Sequence, residues 1–298
     1  MKKKTITSNI IHLDDRKSAG SGQRPKRRRN STDRSTKIIT ITSGKGGVGK
    51  TNIVANLGFT LCRFGKKVLI LDADLGLGNL DVLLGLTPEY NLSDVIHGDK
   101  QLSDIIVEGP GRLKILPAAS GIQELTELSA EERYLFFSQL SQLIKDFDIV
   151  LIDTAAGISA NVLFFNINAD EIMVVVTPEP TSITDAYALM KVLSVKYGTD
   201  QFKLVVNAAA SEREADEVFR QLSLVADRFL NIRIEYYGQI GLDEKLKKGV
   251  RQQKVVSEMA PLARASRDFS LLSRKIANAE IPTLHGGVSH WGLTDIPT

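Results

Sequence analysis

The chain has 298 residues, 43% of them hydrophobic, which is enough for one large domain or two small ones with a sizeable core. No apolar run approaches the ~20 residues that a membrane span needs. The opening "MKKKTITSNIIHLDD" has charge but no apolar signal core, so a soluble cytoplasmic protein is expected. A single cysteine, Cys62, excludes an internal disulfide and any CxxC metal or redox motif.

The net charge of +3 is unevenly placed. Residues 1–37 carry 12 Lys/Arg and 3 Asp/Glu, a net of +9, so the remaining 261 residues carry a net of −6. "SAGSGQRPKRRRNSTDRSTK" has almost no large apolar residues to offset its ordering entropy, and residues 1–36 read as a disordered basic tail. Such a tail could touch DNA, an anionic membrane or an acidic partner. A plain solvated tail accounts for it equally well.

From Lys37 the pattern changes. "KIITIT" is β-branched and bounded by glycine, which predicts a strand. A glycine loop at 43–49 follows, then "KTNIVANLGFTLCRFG", where Ile53, Val54, Leu57 and Leu61 recur at helical spacing and Gly65 suits a C-terminal cap. "KKVLILDAD" is a second buried strand. "LKILPA" (113–118), "DIVLID" (148–153), "EIMVVVTP" (171–178), "FKLVVNA" (202–208) and "EYYGQIG" (235–241) predict further strands, with helical patterns at 131–145, 182–197, 212–229 and 261–278. Continuous apolar strands alternating with helices mean an α/β fold: one mostly parallel sheet covered on both faces. The expected division is the tail at 1–36, a nucleotide-binding domain at 37–279 and a loose tail at 280–298.

"SGKGGVGKT" (43–51) satisfies two motifs. Gly44, Gly49, Lys50 and Thr51 fit the P-loop pattern GxxxxGK[ST], while Gly44, Gly46 and Gly49 also fit the dinucleotide pattern GxGxxG. Lys50 and Thr51 favour the P-loop. A lysine at a helix N-terminus opposes the macrodipole unless a polyphosphate compensates it. Lys50 would reach the β- and γ-phosphates of ATP, and Thr51 would offer its hydroxyl to Mg2+. Neither residue is needed by a dinucleotide site or by a plain glycine turn. Gly44 through Asn52 are thus the expected nucleotide contacts: Gly44, Lys45, Gly46, Gly47, Val48, Gly49, Lys50, Thr51 and Asn52. Acids at other strand ends complete the set. Asp153, after "DIVLI", suits the Mg2+ shell. Asp72 and Asp74, in "DADLGLGNLD", lie on one side of an extended segment, so that Asp72 can face Mg2+ and Asp74 can hold an attacking water. Glycines 76 and 78 would let that segment move. An acidic loop without catalytic duty is the other reading of these carboxylates.

These residues resemble the deviant phosphate loop KGGxGK[ST] of the MinD/ParA ATPases, with "DADLGLGNLD" similar to their switch I and "DTAAGIS" (153–159) to their switch II. The resemblance runs from about Lys37 to Ala279. It implies a homodimer formed on ATP, in which Lys45 crosses the interface to the partner's phosphates and acts in catalysis with Lys50 and Asp74. It also implies that Asn207 reads adenine; an ordinary loop asparagine is the other reading of that residue. Within the family, "DTAAGIS" and the run "GVRQQKVV" resemble the FlhG (FleN/YlxH) regulators of flagellar number. That branch implies a slow ATPase working with an FlhF-type GTPase or with flagellar basal-body proteins, and peripheral contact with the inner face of the cell membrane or the cell pole. Residues 1–37 lack the Asp-Gln-Ala-x-x-Leu-Arg motif through which FlhG proteins stimulate that GTPase. Two other roles fit the same domain. One is a ParA-type partition protein, with residues 26–29, Lys245, Lys247, Lys248 and Arg251 on DNA phosphates. The other is a MinD-like division-site protein. The 261–278 pattern, with Leu262, Phe269, Leu272 and Ile276 in one stripe and Arg264, Arg267, Arg274 and Lys275 around it, reads either as a membrane-surface helix or as the last core helix.

Overall fold

The computed structural model describes residues 36–74, 78–118 and 128–279. The basic tail up to residue 35, residues 280–298 and Gly76 of the mobile-segment expectation lie outside the described residues.

Eight strands form one sheet in the order β3-β4-β2-β5-β1-β6-β7-β8. They are β1 (Lys37–Ser43), β2 (Val68–Ala73), β3 (Val107–Glu108), β4 (Lys114–Leu116), β5 (Ile149–Ala156), β6 (Glu171–Val176), β7 (Gln201–Ala209) and β8 (Arg233–Gly241). All neighbours run parallel except β3, which pairs antiparallel with β4 at one edge. The uninterrupted apolar strands follow from this, because the central strands are buried on both faces. Along β1, Ile39 and Ile41 pack into the core of one face, and Ile38 faces the other.

The first face is covered by α1 (Lys50–Arg63), α9 (Val256–Met259) and α10 (Arg264–Asn278), and the second by α4 (Ala130–Leu143), α5 (Ala160–Ile167), α6 (Pro180–Tyr197) and α7 (Glu212–Phe229). Short helices α2 (Leu80–Leu84), α3 (Leu92–Ile96) and α8 (Glu244–Arg251) lie between these elements. Among the described residues no helix is long and apolar enough to cross a membrane.

Helix α10 decides between the two readings of its stripe. Phe269, Leu272 and Ile276 are buried and belong to the same core cluster as Leu57 and Leu61 of α1. A membrane-surface helix and a core helix need the same stripe, and here α1 occupies it. Leu262, which is 81% exposed, precedes the helix and takes no part. The Thr36 hydroxyl, just before β1, donates to the carbonyls of Ile144 and Phe147 at 2.9 and 3.0 Å.

Candidate active site

The sheet places the candidate residues at the C-terminal ends of its three central strands, where open α/β sheets bind ligands. The phosphate-loop segment leaves β1. Ile41 lies opposite Asp153 of β5, and Asp153 lies opposite Asp72 of β2. Three elements distant in sequence thus bring Lys50, Thr51, Asp72, Asp74 and Asp153 to one place.

The loop is shaped by close approaches. A Cβ on Gly44 would lie 2.1 Å from the Asp185 carbonyl of α6, so only glycine lets the loop pass that helix. Gly49 has φ 93° and stands at the N-cap of α1. No side chain caps α1, and its first turn has no acid. The free N–H groups of a helix N-terminus in that state are a site for anionic oxygens.

Lys50 lies in the first turn, buried, with its ammonium donating to Ser43 Oγ at 2.8 Å. Burial lowers its pKa, and the carboxylates of Asp153 and Asp74 oppose that. Asp153 is 1% exposed, and its Oδ1 has no hydrogen-bond partner. Burial pushes its pKa up to about 7, with a hydrogen bond from the Thr51 hydroxyl and the Lys50 charge acting the other way. A buried carboxylate oxygen without a partner is costly, and next to a threonine hydroxyl it suits a divalent cation. The residues present therefore fit Mg2+ and a polyphosphate.

Asp72 differs from Asp153 in having partners. Its Oδ1 accepts from the Asp74 N–H at 3.2 Å and its Oδ2 from the Leu80 N–H at 3.3 Å. Burial and the Asp153 charge raise its pKa to about 8. A Cβ on Gly78 would lie 2.8 Å from Asp72 Oδ2 and 2.3 Å from the Ala118 Cβ. Asp72 thus ties down both ends of the segment that carries Asp74. Asp74 itself is half-buried at the mouth of the site.

Two expected contacts are already engaged. The Asn52 backbone and side-chain oxygens both accept from Asn56 Nδ2, at 2.9 and 2.8 Å. Asn207, at the end of β7, donates from Nδ2 to the Val48 carbonyl at 2.7 Å. Lys45 sits apart from the buried group: its ammonium is 2.5 Å from Glu179 Oε2 and 2.9 Å from Thr181 Oγ1. Gly46 and Gly47 form the exposed tip of the loop, and Val48 is buried beneath it. Glu179 and Thr181 were not anticipated from the sequence. They lie at the start of α6, 134 and 136 residues from Lys45, and no local pattern marks them.

The chain is similar to known proteins. A family profile described as an AAA domain matches residues 36–203. The chain is 44% identical over 245 residues to the antiactivator FleN of Pseudomonas aeruginosa, which spans 82% of this chain and 88% of that protein. It is 37% identical over 227 residues to the flagellum site-determining protein YlxH of Helicobacter pylori, 76% of each chain. Among solved structures, the septum site-determining protein MinD of Pyrococcus horikoshii, complexed with Mg-ADP, superposes with a TM-score of 0.67 at 27% identity, covering 82% of this chain and 96% of that one. With the two-lysine phosphate loop, the strand-end carboxylates and the parallel sheet, these matches place the chain in the MinD/ParA family of P-loop ATPases.

Proposed function

We propose that this chain is an ATP-driven dimerising switch that sets the number or placement of flagella. The observation that carries the switch is the separation of its two loop lysines. Lys50 is buried among the carboxylates of its own site, while the Lys45 side chain is 34% exposed and turns away from them to Glu179 and Thr181 at the start of α6. The flagellar role rests on the names of the FleN and YlxH relatives, 44% and 37% identical over 82% and 76% of this chain; the septum protein MinD of Bacillus subtilis, which also covers 82% of it, is 32% identical.

This reading gives each residue a role. The N-terminal N–H groups of α1 and the Lys50 ammonium bind the β- and γ-phosphate oxygens, where low water content strengthens the contact. Thr51 and Asp153 would hold Mg2+, which when bound neutralises charge on those oxygens. Asp74 orients the attacking water. Asp72 holds the Asp74 N–H and, once it loses its proton on Mg2+ binding, would add negative charge on the metal side. Lys45, brought across a dimer seam, supplies a cation only when two subunits meet, so turnover depends on dimerisation. Asn207, at the end of β7 beside the phosphate loop, would read the adenine edge. Peripheral membrane contact and an FlhF-type or basal-body partner belong to this reading. Such contact would use residues other than the buried stripe of α10.

Two experiments test it. Light scattering with Mg2+ and ATP should show a monomer becoming a dimer, which ADP does not produce. A strain lacking the gene should show altered flagellar number or placement in electron micrographs. Normal flagella with misplaced division septa would favour the septum role, and salt-sensitive duplex DNA binding would favour the partition role.

A further inference from the structure

Asn207 makes a contact that base reading alone does not require. Its side chain, at the C-terminal end of β7, crosses to the phosphate loop 159 residues away and holds the Val48 carbonyl at 2.7 Å. The fit is close: a Cβ on Gly49 would lie 2.5 Å from Asn207 Nδ2. The backbone beside it is bent. Ala208 has φ 58°, in the left-handed region that alanine rarely adopts, and the β7·β8 register shifts between Asn207 and Ala209. A strained non-glycine residue persists only where its surroundings require it. Here it follows the amide that grips the loop.

We infer that Asn207 is a positioning residue for the phosphate loop as well as a base contact, so that adenine recognition and phosphate-loop geometry are coupled through one side-chain amide. This rests on the ATP reading of the site. The Val48 carbonyl and the Gly49 N–H belong to one planar trans peptide and point in opposite directions. Holding the carbonyl on Asn207 fixes the orientation of that peptide, and with it the direction in which the Gly49 N–H is presented to a phosphate. The amide plane is rigid, with one N–H spent on Val48. Its second N–H and Oδ1 have no partner among the described residues and remain for the adenine edge. Seating the base therefore fixes the angle of the amide that grips the loop.

The test separates the two duties with a ligand that has no base. Affinities of the full-length wild-type protein, Asn207→Ala and Asn207→Asp are measured by calorimetry for Mg-ATP and for Mg-tripolyphosphate. In the same proteins, without ligand, hydrogen exchange is followed in the peptide spanning 43–51, with α7 as the internal control. Loss of the donor, or its replacement by a carboxylate oxygen facing the Val48 carbonyl, should weaken tripolyphosphate about tenfold. It should also speed exchange in 43–51 while leaving α7 at its wild-type rate. Tripolyphosphate affinity within twofold of wild type, or unchanged exchange in 43–51, with ATP affinity alone reduced, would overturn the inference and leave Asn207 a base reader. Wild-type protein that binds neither ligand would instead overturn the ATP reading on which the inference depends.

Discussion

Lys45 and Glu179 form an ion pair at 2.5 Å that links the tip of the phosphate loop to the first residues of α6 within one subunit. Their side chains are 34% and 61% exposed, so solvent screens the pair and it contributes under ~1 kcal/mol. Glu179 is thus a resting place that Lys45 can leave. Glu179→Gln should keep ATP affinity and shift ATP-dependent dimerisation toward the dimer by less than about fivefold, read by light scattering across an ATP series. Loss of the dimer in that variant would mean that Glu179 holds Lys45 in its working position.

Asp74→Ala should bind ATP and dimerise yet lose turnover by roughly a hundredfold or more, the typical effect of removing a group that positions and polarises the nucleophile. Phosphate release and light scattering on the same sample check both halves. Turnover at the wild-type rate would remove Asp74 from the reaction.

The raised pKa of Asp153 predicts a proton linkage. Below about pH 7 the nucleotide-free protein holds this carboxyl protonated, and Mg2+ needs it ionised. Mg2+-nucleotide binding should therefore release protons near neutrality and strengthen as pH rises from 6 to 8, as seen in calorimetry in two buffers of different ionisation enthalpy. Stability without ligand runs the other way. The folded chain binds protons at Asp153 and Asp72 that the unfolded chain does not, so these groups' contribution falls as pH rises from about 4, the usual carboxylate value, to about 8. Asp153→Asn should reduce both slopes.

Two glycines of the loop should respond oppositely to alanine. Gly44→Ala drives a Cβ into the α6 backbone at 2.1 Å, which has no flexible atom to yield, and should lower stability by about 1–3 kcal/mol or more. At Gly46 the nearest atom to a new Cβ is the Ala156 Cβ at 4.0 Å, so Gly46→Ala should leave the melting temperature nearly unchanged. Equal melting temperatures for the two variants would contradict the close packing of the loop on α6.

Local chemistry made much of this legible in advance. The buried strands and the longer helices at 131–145, 182–197 and 212–229 follow from apolar runs and helical spacing, and the structure places helices at Ala130–Leu143, Pro180–Tyr197 and Glu212–Phe229. The misses have physical reasons. Helices α2 and α3 span five residues each, too short to show a period. Helix α5, "ANVLFFNI", is buried nearly all round and carries no polar face to reveal it. The β3 edge contributes two residues, below any strand pattern. Contacts such as Lys45 with Glu179, or Asn207 with Val48, join residues more than a hundred positions apart and depend on the strand order, which no local spacing encodes.

The dependence of hydrolysis on a second subunit is tested most directly by mixing Lys45→Ala with Asp74→Ala, each inactive alone, in Mg2+ and ATP, with heterodimers confirmed by differently labelled subunits. If Lys45 serves the partner's site, the site in the Lys45→Ala subunit keeps its own Asp74 and receives an intact Lys45 from across the seam, where it offsets the repulsion between two facing triphosphates. One site in each heterodimer should then turn over ATP, so the mixture recovers activity that neither variant has. If Lys45 serves its own site, both sites of every heterodimer stay broken. Heterodimers that form on ATP but release no phosphate would contradict a lysine acting between subunits.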